Sequence, residues 1–283
     1  MILRVSGSVI DNAAVKINLN LITGLVKPSA GEVRVQGQTA TGLDPHQVAS
    51  LGIARTFQHI RLFETQSVLE NVLAGCHLQG RSNVLGALTR SAAHTGQEEQ
   101  AVSQAREALT LVDTSLLTRE ASLVRHLSYP DRRRVEVARA IATGAKLLLL
   151  DEATSGLDPV VRSEILDLLL EFIQDEEHAV LLSTHITSDL EHVADYVTFL
   201  HDGQDVFSES KDDLADSYGL LKCGKEDFAR VDRALLLRTR QSRFECEALV
   251  RNRRAVMRAY PKLVVDRASI EDIMVFYGKG DPQ

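Results

Sequence analysis

Four consecutive leucines closed by two acids, Leu147-Leu-Leu-Leu-Asp-Glu152, constrain this chain more than any other segment. So short an apolar run, ended by a polar turn, reads as a strand buried on both faces, and such strands belong to parallel sheets. A second run, His178 to Ser183, ends in Thr184-His185. Between the two, the segment from Pro159 to Ile173 places apolar residues at helical spacing, completing a strand, helix, strand unit with its crossover on one face of the sheet. The sequence therefore predicts an α/β core with a mostly parallel sheet flanked by helices, and chemistry at the carboxyl ends of its strands.

Composition excludes several classes. With 44% hydrophobic and 25% charged residues the chain is neither disordered nor fibrous. No apolar run reaches the ~18 residues that span a bilayer, and Met1-Ile-Leu-Arg-Val lacks the pattern of a secretory leader, so a cytoplasmic protein is expected. Cys76, Cys223 and Cys246 sit outside any metal-ligand spacing and read as free thiols. From Lys222 onward there are 14 Lys/Arg against 9 Asp/Glu in a chain of net charge -7, and that asymmetry marks a boundary. Cations and anions interleave in this tail, which fits a solvated face rather than a nucleic-acid surface.

The organisation expected is a core domain over 1–210 and a small carboxyl-terminal α+β extension over 211–283. Within the core, about 68–140 reads as a helical insert with polar interruptions at Gln79-Gly-Arg-Ser-Asn and His94-Thr-Gly-Gln. His201-Asp-Gly makes a hairpin turn between Tyr196 to Leu200 and Gln204 to Phe207, and Phe244 to Val250 is a further strand.

Asp151 and Glu152, at the end of the leucine strand, suit a pair in which one acid holds a Mg²⁺ water shell and the other orients or deprotonates water. Alone they equally suit two strand-end acids capping the next helix. Their neighbours extend the pattern. Gln58 lies in Arg55-Thr-Phe-Gln-His, Leu127-Ser-Tyr-Pro-Asp precedes the helix Arg132-Arg-Arg-Val-Glu-Val-Ala-Arg-Ala, Ser155-Gly-Leu-Asp158 follows the acids, and His185 ends the next strand. In this order and at these spacings the segments resemble the Q-loop, signature loop, Walker B strand, D-loop and switch histidine of the nucleotide-binding subunit of ABC transporters. The resemblance runs from Leu19-Asn-Leu-Ile-Thr-Gly to the tail. Arg55-Thr-Phe-Gln-His-Ile-Arg-Leu-Phe is similar to ATPases of branched-chain amino acid importers, whereas Ser183-Thr-His-Ile-Thr-Ser-Asp-Leu-Glu-His-Val and Ser269-Ile-Glu-Asp-Ile-Met-Val-Phe-Tyr are similar to exporter ATPases of Gram-positive bacteria.

That resemblance implies a P-loop NTPase-like fold and an ATPase that drives transport with ATP and Mg²⁺. It implies two partners, a transmembrane permease subunit and a second ATP-binding subunit, on the inner face of the plasma membrane, and no nucleic acid. By position, Glu152 would be the base, Gln58 would contact metal and water, His185 would sense the γ-phosphate, and Asp151 would hold Mg²⁺. Lys16 and Asn12 would belong to the phosphate loop, while Ser128 and Asp158 would reach across a dimer. The groove beside the Q-loop would dock the permease, with an apolar patch expected at Leu62, Phe63 and Val68.

Two departures qualify the resemblance. The phosphate loop G-x-x-G-x-G-K-[ST] wraps backbone N–H groups around phosphate. The matching segment, Ile10-Asp-Asn-Ala-Ala-Val-Lys-Ile17, keeps Asn12, Ala14 and Lys16 but has Ile10, Ala13 and Val15 at the glycines and Ile17 at the hydroxyl. Two strained or lost contacts cost roughly 3–6 kcal/mol, about a hundredfold or more in affinity. The family's strands ahead of this loop and its adenine-stacking aromatic are expected to have no counterpart. Pro130 stands where the signature loop has glycine, which removes an N–H donor. The alternative reading is thus a catalytically inactive subunit that keeps the fold and its docking surface.

Overall fold

The computed structural model describes residues 5–9, 12–76, 92–201, 203–241, 245–279 and 281–282, with side chains over 15–76, 96–201, 203–241 and 245–278. Thirteen strands lie within them: β1 Val5–Val9, β2 Arg34–Val35, β3 Gln38–Thr39, β4 Ile53–Arg55, β5 Leu147–Asp151, β6 Ala179–Ser183 and β7 Tyr196–His201, then β8 Gln204–Ser210, β9 Gly219–Cys223, β10 Arg238–Gln241, β11 Cys246–Val250, β12 Val264–Arg267 and β13 Asp281–Pro282. The main sheet has the order β4-β5-β6-β1-β7-β8, parallel throughout except for the β7–β8 hairpin. Leu148, Leu149 and Leu150 have no exposed surface, as the four-leucine run predicts. Leu148 and Leu150 face Leu166 and Leu169 of the crossover helix Pro159–Phe172, whereas Leu149 faces Val15 and Leu19 on the other side of the sheet.

One expectation is corrected at the amino terminus. β1, immediately ahead of the segment matched to the phosphate loop, is paired in parallel between β6 and β7, so a strand leading into that segment does exist. Ile10, Asp11, Gln79 to Asn83, Asp202 and Phe244 lie outside the described residues, as does the side chain of Asn12.

Three helices are described between Val68 and Ala142, Val68–Cys76, Ala92–Val112 and Tyr129–Ala142, and they pack around Val72, Leu109, Leu116 and Val135. His94 to Gln97 continue a helix instead of interrupting it. Gly75 sets the spacing of two of these helices, because a Cβ there would meet the Arg139 carbonyl oxygen at 2.3 Å.

Beyond β8, the order β12-β9-β11-β10-β13 forms a wholly antiparallel second sheet. Leu220, Leu249, Ile273 and Phe276 join the buried cluster of Phe199 and Phe207, so the two sheets share apolar core. Cys223 and Cys246 are directly opposed on β9 and β11, and all three cysteines are free thiols.

Candidate nucleotide site

The carboxyl ends of β4, β5 and β6 bring the predicted residues together. β5 ends in Asp151, and Glu152 then turns at φ 49°, a left-handed conformation that costs a non-glycine residue about 1–3 kcal/mol. The turn is fixed by Glu152 N donating to the Ser183 carbonyl at 2.9 Å and Ser155 N donating to the Glu152 carbonyl at 3.1 Å. It leaves Glu152 buried between two predicted partners. Gln58 Nε2 donates to Glu152 Oε2 at 2.8 Å, and His185 Nδ1 lies 3.7 Å from Glu152 Oε1. Behind His185, Thr154 Oγ1 donates to Asp189 Oδ2 at 2.5 Å, locking the loop after β5 to the helix Thr187–Val193. Burial pushes the Asp189 carboxyl up, and the Thr154 bond opposes that shift.

Asp151 has different company. Arg55 Nη2 donates to its Oδ2 at 3.3 Å, and Ser183 Oγ to its Oδ1 at 3.4 Å. The pair is nearly dry, with side chains 7% and 5% exposed. Arg55 Nη1 also donates to Asn20 Oδ1 at 2.7 Å and Thr23 Oγ1 at 3.1 Å, which ties the helix Asn12–Ile22 to the end of β5. Burial lowers the Arg55 pKa, and Asp151 opposes the shift.

Lys16 borders the same cleft of about 350 Å³ as Arg55, Gln58, Arg61 and Asp151. The segment matching the phosphate loop is helical from Asn12 onward, four residues ahead of Lys16. Val15 points into the core at 4% exposure and Ile17 out of it at 54%. Thus Val15 is not forced into a glycine conformation; the segment winds into a helix and spends its side chain on packing. The residues fit an anion at the cleft, where cations converge. They do not fit Mg²⁺ as a P-loop holds it, since Ile17 offers no oxygen and Asp151 is already paired with a guanidinium.

Ser128 and Asp158 are placed elsewhere. Ser128 caps the helix Tyr129–Ala142, its Oγ accepting from Asp131 N at 3.3 Å, and Asp158 caps Pro159–Phe172, accepting from Val160 N and Val161 N. Pro130 sits in the first turn, where its missing N–H is harmless to the helix. Tyr129 OH donates to the Ser155 carbonyl at 3.3 Å, joining the signature segment to the loop after Glu152.

The sequence did not single out the tether between the Q-loop and this helix. Arg133, with no exposed surface, donates to the Phe57 and Gln58 carbonyls at 3.0 and 3.1 Å and to Glu136 Oε2 at 2.6 Å. Burial raises the Glu136 pKa, and Arg133 opposes the rise. The available signal was the Arg133–Glu136 spacing of three on a face shared with Val137 and Ala140.

The expected apolar patch is corrected as well. Val68 is fully buried in the insert and Leu62 packs partly against the same cluster, because positions 68, 72 and 76 form the inward stripe of one helix. Phe63 is the member left outside, at 53% exposure.

Comparison with known proteins agrees with this geometry. A sequence profile described as "ABC transporter" matches residues 17–155, beginning just past Lys16. The chain is 31% identical over 184 residues to the high-affinity branched-chain amino acid transport ATP-binding protein LivG of Escherichia coli (strain K12), covering 65% of this chain and 71% of that protein. The chain belongs to the ABC transporter family. Within the family it stands among the ATP-binding subunits. BraF of Pseudomonas aeruginosa, also a branched-chain amino acid transport ATP-binding protein, is 29% identical over 204 residues, 72% of this chain and 79% of that one. The ABC transporter cassette MJ1267 in its ADP conformation superposes with a TM-score of 0.61 at 25% identity, over 74% of this chain and 81% of that one. Among the described residues, no helix is long and apolar enough to cross a membrane.

Proposed function

We propose that this ABC subunit couples ATP to transport through a permease on the inner face of the plasma membrane, paired with a second ATP-binding subunit, and that its own hydrolysis is weak. The observation that carries this reading is the convergence of Gln58, Asp151, Glu152 and His185 at the ends of adjacent parallel strands. Glu152 Oε1, the oxygen that Gln58 does not engage, would take the proton of an attacking water, Gln58 would hold the carboxylate through Oε2, and His185 would face the phosphate. Residues 1–210 would form the nucleotide-binding domain and 211–283 an extension, with Ser128 and Asp158 offered to the partner subunit. The burial of Val15 and the Arg55–Asp151 pair favour a second reading, a subunit that hydrolyses nothing and serves structure or regulation.

The permease contact rests on residues independent of the loop. A cleft of about 280 Å³ between the Q-loop and the insert is lined by His59, Ile60, Leu62 and Val124, with Arg132 and Glu64 paired at 3.2 Å. Phe63 stands exposed beside it in sequence. Affinity purification from solubilised membranes is expected to recover a multi-spanning permease subunit, identified by mass spectrometry. Phe63→Asp should reduce recovery by about tenfold or more, the scale of an aromatic hot spot, and Lys16→Ala should leave it intact. Recovery lost with Lys16→Ala and kept with Phe63→Asp contradicts the docking assignment.

A further inference from the structure

We propose that Arg55 occupies the place of the metal cation at Asp151, so that the cleft beside Lys16 binds the polyphosphate of a nucleotide without Mg²⁺. The inference rests on reading this cleft as the phosphate site, and it concerns how that site neutralises charge.

Three observations carry it. First, each oxygen of Asp151 is already engaged, Oδ2 by the Arg55 guanidinium and Oδ1 by the Ser183 hydroxyl. A Mg²⁺ ion needs oxygen ligands at about 2.0–2.1 Å in near-octahedral array, and a fixed guanidinium on the same carboxylate repels it. Displacing Arg55 would break an ion pair whose side chains are 7% and 5% exposed, at a cost in metal affinity of about a hundredfold or more. Second, Ile17 stands where a P-loop presents its hydroxyl, so the second protein oxygen for the metal is missing too. Third, cations remain in the cleft to receive the anion. Among the described residues, Lys16, Arg55 and Arg61 border it against the single carboxylate Asp151. Both arginines lie over the Phe57 ring, with the guanidinium carbons of Arg55 and Arg61 4.9 and 4.2 Å from its centroid. Arg55 Nε is buried and finds no hydrogen-bond partner among the described residues, which leaves a charged donor in want of an acceptor.

In this arrangement Arg55 is fixed by Asn20, Thr23 and Asp151 on one guanidinium edge, and its charge acts on the cleft permanently. A metal would bring its charge only with the nucleotide. Mg²⁺ complexed to ATP instead reduces the negative charge that Lys16 and Arg61 attract, so free ATP is the better ligand.

Isothermal titration of the full chain with ATP and with inorganic tripolyphosphate, in excess EDTA and in excess Mg²⁺, tests the proposal. Both probes are expected to bind at least as tightly in EDTA as in Mg²⁺. Loss of tripolyphosphate binding alone would place recognition on the nucleoside and overturn the phosphate assignment. Arg55→Met should weaken binding in EDTA by about tenfold or more, the scale of one charged hydrogen bond, and let Mg²⁺ restore part of it. Because that variant removes the buried guanidinium outright, Asp151→Asn, which keeps shape and an oxygen able to accept from Arg55, provides a second reading. It should leave ATP affinity in Mg²⁺ unchanged or improved, since it strips a negative charge from the cleft. A wild type that binds tenfold tighter with Mg²⁺, or an Asp151→Asn variant weakened only in Mg²⁺, overturns the proposal. Absence of binding in both conditions also overturns it, and leaves the permease reading to the Phe63 experiment, which involves no nucleotide.

Discussion

Glu152→Gln is expected to remove whatever ATP hydrolysis the purified protein performs, by about a hundredfold or more, because it deletes the carboxylate proposed to accept the water proton. Binding should stay within about twofold, the change being isosteric and Glu152 not being among the residues that line the cleft beside Lys16. The replacement amide can still accept from Gln58 Nε2, so the turn after β5 and the buried contact at 2.8 Å survive. The expected signature is therefore a fall in turnover with little change in affinity, read by single-turnover hydrolysis beside equilibrium binding. Activity that survives in the variant points to another base or to a contaminating enzyme.

Arg133→Met is expected to destabilise the fold by about 3–5 kcal/mol, since it leaves Glu136 buried without its partner. It also frees the Phe57 and Gln58 carbonyls, which Arg133 holds from the neighbouring helix. The loss should depend on pH. Burial already holds the Glu136 carboxyl above its ordinary 4.5 with Arg133 alongside, and removing Arg133 strengthens that shift. A carboxyl whose folded pKa exceeds its unfolded one contributes stability below the unfolded value and loses it as pH rises. Urea denaturation should accordingly show a larger deficit near neutrality than in mild acid. A deficit under about 1 kcal/mol at neutral pH, or one that grows in acid, contradicts this assignment.

Legibility of the fold followed the distance over which each signal acts. Leu147 to Asp151 was readable because burial on both faces leaves a run of leucines, and the crossover helix from Pro159 because its apolar spacing is local. Gln58, Glu152 and His185 could be expected to meet through the order of the motifs, although only the sheet order β4-β5-β6 places them side by side. Arg55 and Asp151 are 96 residues apart, and nothing local marks either as half of a pair. Arg133 is hidden between Arg132 and Arg134, where three adjacent cations look like a solvated face although helical geometry turns one inward. For Asn12 to Val15 the sequence was weighed as a strained loop, while its alanines already favoured helix. Val68 was misread for a related reason, since the stripe it shares with Val72 and Cys76 at spacings of four is the inward face of a helix.

The proposed site has the Glu152 carboxylate assembled at the strand ends, while the segment matched to the phosphate loop runs as a helix from Asn12. Equilibrium binding of labelled ATP to the purified chain tests it most directly. A dissociation constant near millimolar or weaker is expected, in keeping with the loss of about 3–6 kcal/mol of phosphate contacts. A submicromolar constant would contradict the claim, because it requires a phosphate cradle that the helix from Asn12 and the buried Val15 do not provide.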